Sequence, residues 1–238
     1  MTRVETREFY EAGYALDAQE AERMGRWRAI GARSKAAHVR TLLRRADLHP
    51  RTIAEIGCGD GSLLVHLSEL ATVDGFELSV NAAAHANDRG VARRVEAFDG
   101  LNVPAADDEY DLAVLSHVIE HVPEPRPLLA EAARVAPHVL VEVPLEDNRS
   151  ARRPAKRALA QRAGHLHAFD RTALQAQLTS AGLAVRDELT DALGFEHHAF
   201  FAGPAKGAAK TAIRTTLHRL GVAERLFTVH YAVLATRA

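Results

Sequence analysis

The 238-residue chain has one cysteine, Cys58, so it can close no disulfide on itself and its stability has to come from a packed core. It has no run of about 18 apolar residues, which excludes a transmembrane helix. Its first twenty residues lack the apolar centre of a signal peptide. Together these absences lead to the expectation of a cytoplasmic protein. No repeat, heptad or low-complexity tract is present, so collagen, coiled coil and wholesale disorder are excluded. Net charge is also nearly absent, at -1. That balance hides a split. Residues 1–148 hold 16 Lys+Arg against 25 Asp+Glu, and residues 149–238 hold 14 against 6. Such asymmetry signals an anionic partner or two differently solvated surfaces.

What is present is an alternation of periods. Residues 4–46 carry Trp27, Ile30, Val39, Leu42 and Leu43 at helical spacing, closed by Pro50. Short apolar runs at 52–56, 73–77, 95–98, 110–115 and 139–143 read as strands. Helical stretches at 62–70, with Ser62 as N-cap, 80–89 and 125–136 lie between them. This order predicts an α/β fold with a doubly wound, mostly parallel sheet. After Pro144 the spacing predicts a helix at 171–181 and strands at 183–189, 196–201 and 228–235. Basic stretches occupy 149–162 and 205–226, the second helical. No linker divides the chain. It reads as a single domain over 1–238, with an N-terminal helical cap (1–49), a ligand-binding core (50–145) and a substrate-covering region (146–238).

The sharpest motif is Glu55-Ile56-Gly57-Cys58-Gly59-Asp60-Gly61, which follows a strand and opens a helix. Glycines there permit a tight turn and close approach to a ligand. The spacing departs from the dinucleotide G-x-G-x-x-G pattern, because Ser62 stands where its third glycine belongs. Glu55 would repel a pyrophosphate and suits a cationic ammonium or sulfonium. With Glu77 at the next strand end, Asp99 after the third, and Tyr110–Val122 around the fourth, the chain resembles the class I S-adenosylmethionine-dependent methyltransferases, of the small-molecule, methyltransferase-11-like type. The likeness is carried by about residues 50–145 and, more weakly, 164–190.

The resemblance implies a seven-stranded, Rossmann-like methyltransferase sheet that binds S-adenosyl-L-methionine and releases S-adenosyl-L-homocysteine, with no metal expected. It also assigns positions. Glu55, Gly57, Cys58, Gly59 and Gly61 would cradle the methionine part, and Glu77 would hold the ribose hydroxyls. Leu78, Asp99 and Gly100 would border the adenine, and Ser116 and His117 the methionine end. The expected reaction is methyl transfer to an oxygen or nitrogen nucleophile of a small, anionic molecule. Two alternatives remain open: an RNA methyltransferase using the basic C-terminal region, or a non-catalytic cofactor-binding module. Nucleic acid is not favoured, because residues 149–162 hold no aromatics for base stacking. Oligomeric state is left open.

Thirteen histidines are many for this length. Histidine titrates where a nucleophile's proton has to be removed, so His165 and His117 are the candidate catalytic groups. Tyr14, His167 and His197 are candidate substrate contacts. The string His117-Val118-Ile119-Glu120-His121 also matches a zinc-protease motif, but Pro123 and Pro125 exclude the long helix which that motif needs. Arg33 or Lys35 could neutralise the cofactor carboxylate.

Overall fold

The computed structural model describes Glu8, Glu11 and residues 18–238. The candidate contact Tyr14 lies outside the described residues. Helix α1 (Ala18–Arg45) buries Ala32, Ala36, Val39 and Leu42, one stripe at three- and four-residue spacing. Strands β1 (Thr52–Ile56), β2 (Thr72–Glu77), β3 (Arg94–Ala97), β4 (Leu112–Ser116) and β5 (His138–Pro144) pair in parallel. Strands β6 (Leu183–Asp191) and β7 (His230–Arg237) complete one seven-stranded sheet of order β3-β2-β1-β4-β5-β7-β6, with β7 antiparallel to both neighbours. The strand order reverses between β1 and β4, which opens a crevice at their carboxyl ends.

Helices α2 (Leu64–Leu67), α3 (Val80–Asn87), α4 (Pro125–Val135), α5 (Pro154–Arg162), α6 (Arg171–Ser180), α7 (Phe195–Ala202), α8 (Pro204–Arg219) and α9 (Ala223–Leu226) flank this sheet. Parallel neighbours require crossovers, and the helices that supply them cover two apolar cores. The central strands β4 and β5 are buried nearly throughout, as their unbroken apolar runs require.

Two expectations are corrected. Residues 196–201 form helix α7 and not a strand. Phe200 and Phe201 pack on Trp27 of α1 at ring-centroid distances of 5.2 and 4.8 Å, and the slot beside β5 belongs to β7. Tertiary packing overrode the aromatic strand preference. The helix expected at 62–70 shrinks to the single turn α2. Ser62 does not cap it, because its hydroxyl donates to Asp60 Oδ1 at 2.7 Å.

A charged group is buried in the sheet at β2. Asp74 on β2 has a fully buried carboxylate that accepts from Tyr110 Oη at 2.6 Å and Arg94 Nε at 3.0 Å. Burial opposes its charge, but Arg93, Tyr110 and Arg94 together hold its pKa below the ordinary value. Asp74→Ala is expected to cost about 2–4 kcal/mol in urea unfolding, since it strands the Tyr110 hydroxyl and part of Arg94. A loss under about 1 kcal/mol would remove this group from the account of the edge strands.

Candidate cofactor and acceptor cleft

The loop leaving β1 is shaped by its glycines. Gly57, Gly59 and Gly61 have φ of 77, 56 and 74°, a region L residues avoid. A Cβ on Gly57 would lie 2.5 Å from Val118 Cγ2, and one on Gly61 would lie 2.9 Å from Ala86 Cβ of α3. The first glycine therefore admits the loop after β4, and the third admits α3. Gly57 N donates to Phe76 O at 2.7 Å, which ties the loop to β2.

Glu77, at the end of β2, is buried and fixed by backbone donors. Its Oε2 accepts from Gly59 N at 2.8 Å and its Oε1 from Ser79 N at 3.0 Å. Burial raises its pKa against these bonds. Glu11, which no pattern in the sequence marked, closes the start of α3. Its carboxylate accepts from Val80 N at 2.7 Å and Ser79 Oγ at 2.9 Å, a favourable place for negative charge.

The crevice has two lobes that share Gly57, Gly59 and His117. The first, about 380 Å³, is lined by Glu77, Leu78, Asp99 and Gly100 and roofed by Val118, His121 and Pro127. The second, about 330 Å³, is lined by Glu55, Cys58, Ser116, His197 and His230, with Trp27, Arg28 and Lys35 of α1 on its other side. Ten of the eleven expected cofactor positions thus meet in one cleft. The eleventh, Gly61, lines neither lobe and acts by letting α3 approach. Cys58 is buried, with burial and then Glu55 raising its thiol pKa well up, so its contribution is structural.

These residues fit a cofactor with a cationic amino-acid end and a polar sugar. Glu55 is 3% exposed, and its Oε2 has no hydrogen-bond partner, an acceptor facing the second lobe. Burial raises its pKa and Lys35 pulls it back. An ammonium would satisfy that oxygen. Glu77 faces the other lobe beside the apolar Leu78 and Phe98.

Behind the second lobe lies a network that sequence spacing did not bring together. Glu142 of β5 is fully buried. Its Oε2 is 3.0 Å from His38 Nδ1, and its Oε1 is 3.1 Å from His230 Nδ1 and 3.4 Å from His117 Nε2. His38 Nε2 in turn faces Asp191 Oδ2 at 3.4 Å. Burial works against a charge on His38, but hydrogen bonds to Asp191 and Glu142 outweigh it and push the pKa up to about 9. Burial and the nearby His117 push His230 down to about 4. His117, at φ 59°, also sets Nδ1 3.3 Å from Glu120 Oε1. Burial and Lys35 oppose a charge on His117, yet Glu120 and Glu142 prevail and raise its pKa.

The remaining histidine candidates separate. His197 lines the second lobe, with its ring edge-on to Trp27 at 5.5 Å. His165 reaches neither lobe: its Nδ1 meets Glu146 Oε2 at 2.6 Å and its ring stands behind His121 at 4.8 Å. His167 is turned away by a bond from Nε2 to Val122 O at 2.9 Å. Arg33 pairs with Glu196 at 2.7 Å, which leaves Lys35 as the lysine in the cleft. The zinc-protease string forms a short 3-10 turn, Ile119–His121, and its two histidines join different clusters. Among the described residues those clusters, His117-Glu142-His230 and Glu120-His121-His165, have ligand atoms within 4.8 Å of one another and could hold a metal. His117 Nε2 in the first cluster and both Glu120 carboxylate oxygens in the second are buried without a hydrogen-bond partner among the described residues.

Comparison with known proteins agrees with this geometry. The family described as the methyltransferase domain matches residues 25–188. Norajmaline N-methyltransferase of Rauvolfia serpentina is 31% identical over 120 residues, 43% of this chain and 41% of that one. Ubiquinone biosynthesis O-methyltransferase of Thiobacillus denitrificans is 29% identical over 130 residues, 50% of this chain and 56% of that one. The chain spans about half the length of these curated relatives. An S-adenosylmethionine-dependent methyltransferase structure from Thermotoga maritima superposes with a TM-score of 0.63 at 18% identity, covering 98% of this chain and 100% of that one.

Proposed function

Because the chain belongs to the class I S-adenosylmethionine-dependent methyltransferase family, we propose that it methylates an oxygen or nitrogen nucleophile of a small, anionic molecule. The observation that carries this is the two-lobed cleft, with backbone-fixed Glu77 in one lobe and the unpartnered Glu55 carboxylate oxygen in the other. S-adenosylmethionine supplies an electrophilic methyl group on a sulfonium. Glu77 and the loop backbone hold the sugar end, and Glu55 and Lys35 hold the amino-acid end. Arg28 and Lys35 give the second lobe the positive charge that an anionic acceptor requires.

His197 is the group we assign to take the acceptor's proton. It lines the lobe, its Nε2 has no hydrogen-bond partner, and burial lowers its pKa, which keeps the ring neutral. His117, whose pKa Glu120 and Glu142 raise, is assigned to orient the acceptor instead. Cleft residues exclude water and fix the reacting groups in place, and much of the acceleration comes from that fixing.

Calorimetry with S-adenosylmethionine and S-adenosylhomocysteine tests the reading. Both are expected to bind, and Glu77→Ala is expected to weaken them by roughly 10- to 100-fold, or 1.5–3 kcal/mol. With an acceptor found by screening for S-adenosylhomocysteine release, His197→Gln is expected to lower kcat and leave cofactor affinity unchanged. No binding of either ligand would overturn the assignment of the cleft. Full turnover by His197→Gln would remove it as the base.

A further inference from the structure

Residues 149–169 and 197–223 contain no Asp or Glu. In the folded chain the first segment starts beside the end of the second: Arg149 N and Ser150 N donate to Arg225 O and Leu226 O, each at 3.1 Å, just past α8. Helix α5 buries none of its residues and leaves Leu159 52% exposed. Helix α8 buries only Gly207 and leaves Ile213 61% exposed, and its C-cap Leu220 is 69% exposed. Lys206, Lys210 and Ile213 follow one another at four- and three-residue spacing and so share one face of α8, and Leu220 caps its end. Lys156 of α5 lies near Lys210 of α8: burial first, and then the charges of Arg214 and Lys156, lower the Lys210 pKa. Among the described residues, Lys156, Lys206 and Lys210 have no carboxylate within ion-pair distance, whereas Arg152 is paired with Asp147 at 2.9 Å. The result is an outward face with uncompensated positive charge and exposed aliphatic side chains. Neither cavity is lined by any residue of α5 or α8.

We propose that α5 and α8 form a docking face for an anionic lipid bilayer. Lysines beside exposed aliphatic groups are the pattern of helices that lie in a membrane interface, where the ammonium groups meet headgroup phosphates and the aliphatic side chains enter the acyl boundary. RNA fits less well, because neither helix contains Phe, Tyr or Trp on which bases could stack. A second copy of the chain fits less well still, since two such faces repel. The face also has a place in the reaction geometry. Gly207 lets α8 press against α7, where a Cβ would lie 2.7 Å from Ala199 Cα, and α7 carries His197 into the second lobe. Docking would bring the acceptor side of the cleft to the membrane surface. The inference stands on the surface alone and does not depend on which acceptor is methylated.

Cosedimentation with phosphatidylcholine vesicles, with and without phosphatidylglycerol, tests it. The wild-type chain is expected to pellet with the anionic vesicles only, and less as salt rises. K156E/K206E/K210E is expected to lower the partition coefficient at least about tenfold. The milder K156Q/K206Q/K210Q is measured beside it, so that a folding defect in one variant does not decide the outcome. I213S/L220S is expected to keep the low-salt attraction and lose binding at physiological salt. Unchanged melting temperature and S-adenosylmethionine affinity certify that the variants are folded. The proposal is overturned if the wild type ignores anionic vesicles, if the charge variants pellet as well as the wild type, or if the face retains single-stranded RNA and not vesicles.

Discussion

Glu142→Gln is expected to destabilise the protein by about 3–5 kcal/mol and to lower its melting temperature by roughly 10 °C. Gln matches the shape of Glu, so little packing is lost. The loss is of charge at a fully buried hub. Glu142 joins His38 of α1, His230 of β7 and the His117 bend after β4, at 3.0, 3.1 and 3.4 Å. Without the carboxylate, the imidazolium of His38 keeps only Asp191 at 3.4 Å, and a new amide N–H₂ faces ring nitrogens that already need acceptors. Removing one partner of a buried pair leaves the other charge uncompensated, which is why the effect exceeds that of an exposed ion pair. A loss below about 1 kcal/mol in chemical denaturation would mean that the hub does not fasten α1 to the sheet.

The same hub sets a pH profile. His38 keeps its proton up to about pH 9 in the folded chain, against 6.5 for the free side chain. Its contribution, on the order of 3 kcal/mol, is therefore complete below pH 6.5 and fades as pH rises toward 9. His230 and His198 have the opposite sign. Burial holds both near a pKa of 4, so stability falls as pH drops from 6.5 toward 4 and the unfolded chain takes up protons first. Glu142→Gln should flatten the alkaline limb, because one of the two acceptors that hold the His38 proton is gone. An alkaline limb of wild-type steepness in the variant would place its origin elsewhere.

The glycine loop and the carboxylate at each strand end were legible because their spacing follows from local constraints. A strand must end, turn tightly and admit a ligand, and few residue types do that. The parallel half of the sheet was legible for a similar reason, since buried strands are unbroken apolar runs. The Glu142 hub was not. His38, Glu142, Asp191 and His230 lie on four elements and His117 on the bend after β4, and each alone looks like a scattered polar residue. Nothing local says that these ends converge, because strand order does that and strand order is a long-range property. Helix α7 failed for a related reason. Its aromatic content favours a strand locally, but Trp27, 173 residues before Phe200, offers the ring that Phe200 and Phe201 pack on. The charge split was visible from the start, yet its meaning changed. The basic stretch does not line the cleft, whose cations come from Arg28 and Lys35 within the acidic half.

Gly57→Ala is expected to reduce S-adenosylmethionine affinity at least roughly 100-fold, or about 2.7 kcal/mol, in a protein that still folds. Two separate penalties meet at this position. At φ 77° an L residue costs roughly 1–2 kcal/mol relative to glycine. The new methyl group would also stand 2.5 Å from Val118 Cγ2, so one of the two segments has to move. Val118 belongs to the partly buried wall that packs on the core, while Gly57 belongs to the loop that lines both lobes. The expected response is movement of the loop, whose open side is the cleft. Its displacement carries Gly59 N off Glu77 Oε2, a 2.8 Å bond that aims the carboxylate at the first lobe. Val118→Ala removes the steric penalty and leaves the backbone penalty. In a double-mutant cycle, the pair is therefore expected to bind tighter than Gly57→Ala alone by about 1–2 kcal/mol without regaining wild-type affinity. Additive effects would show that Val118 does not sense the loop. A Gly57→Ala protein that binds S-adenosylmethionine normally would show that this turn does not shape the cleft.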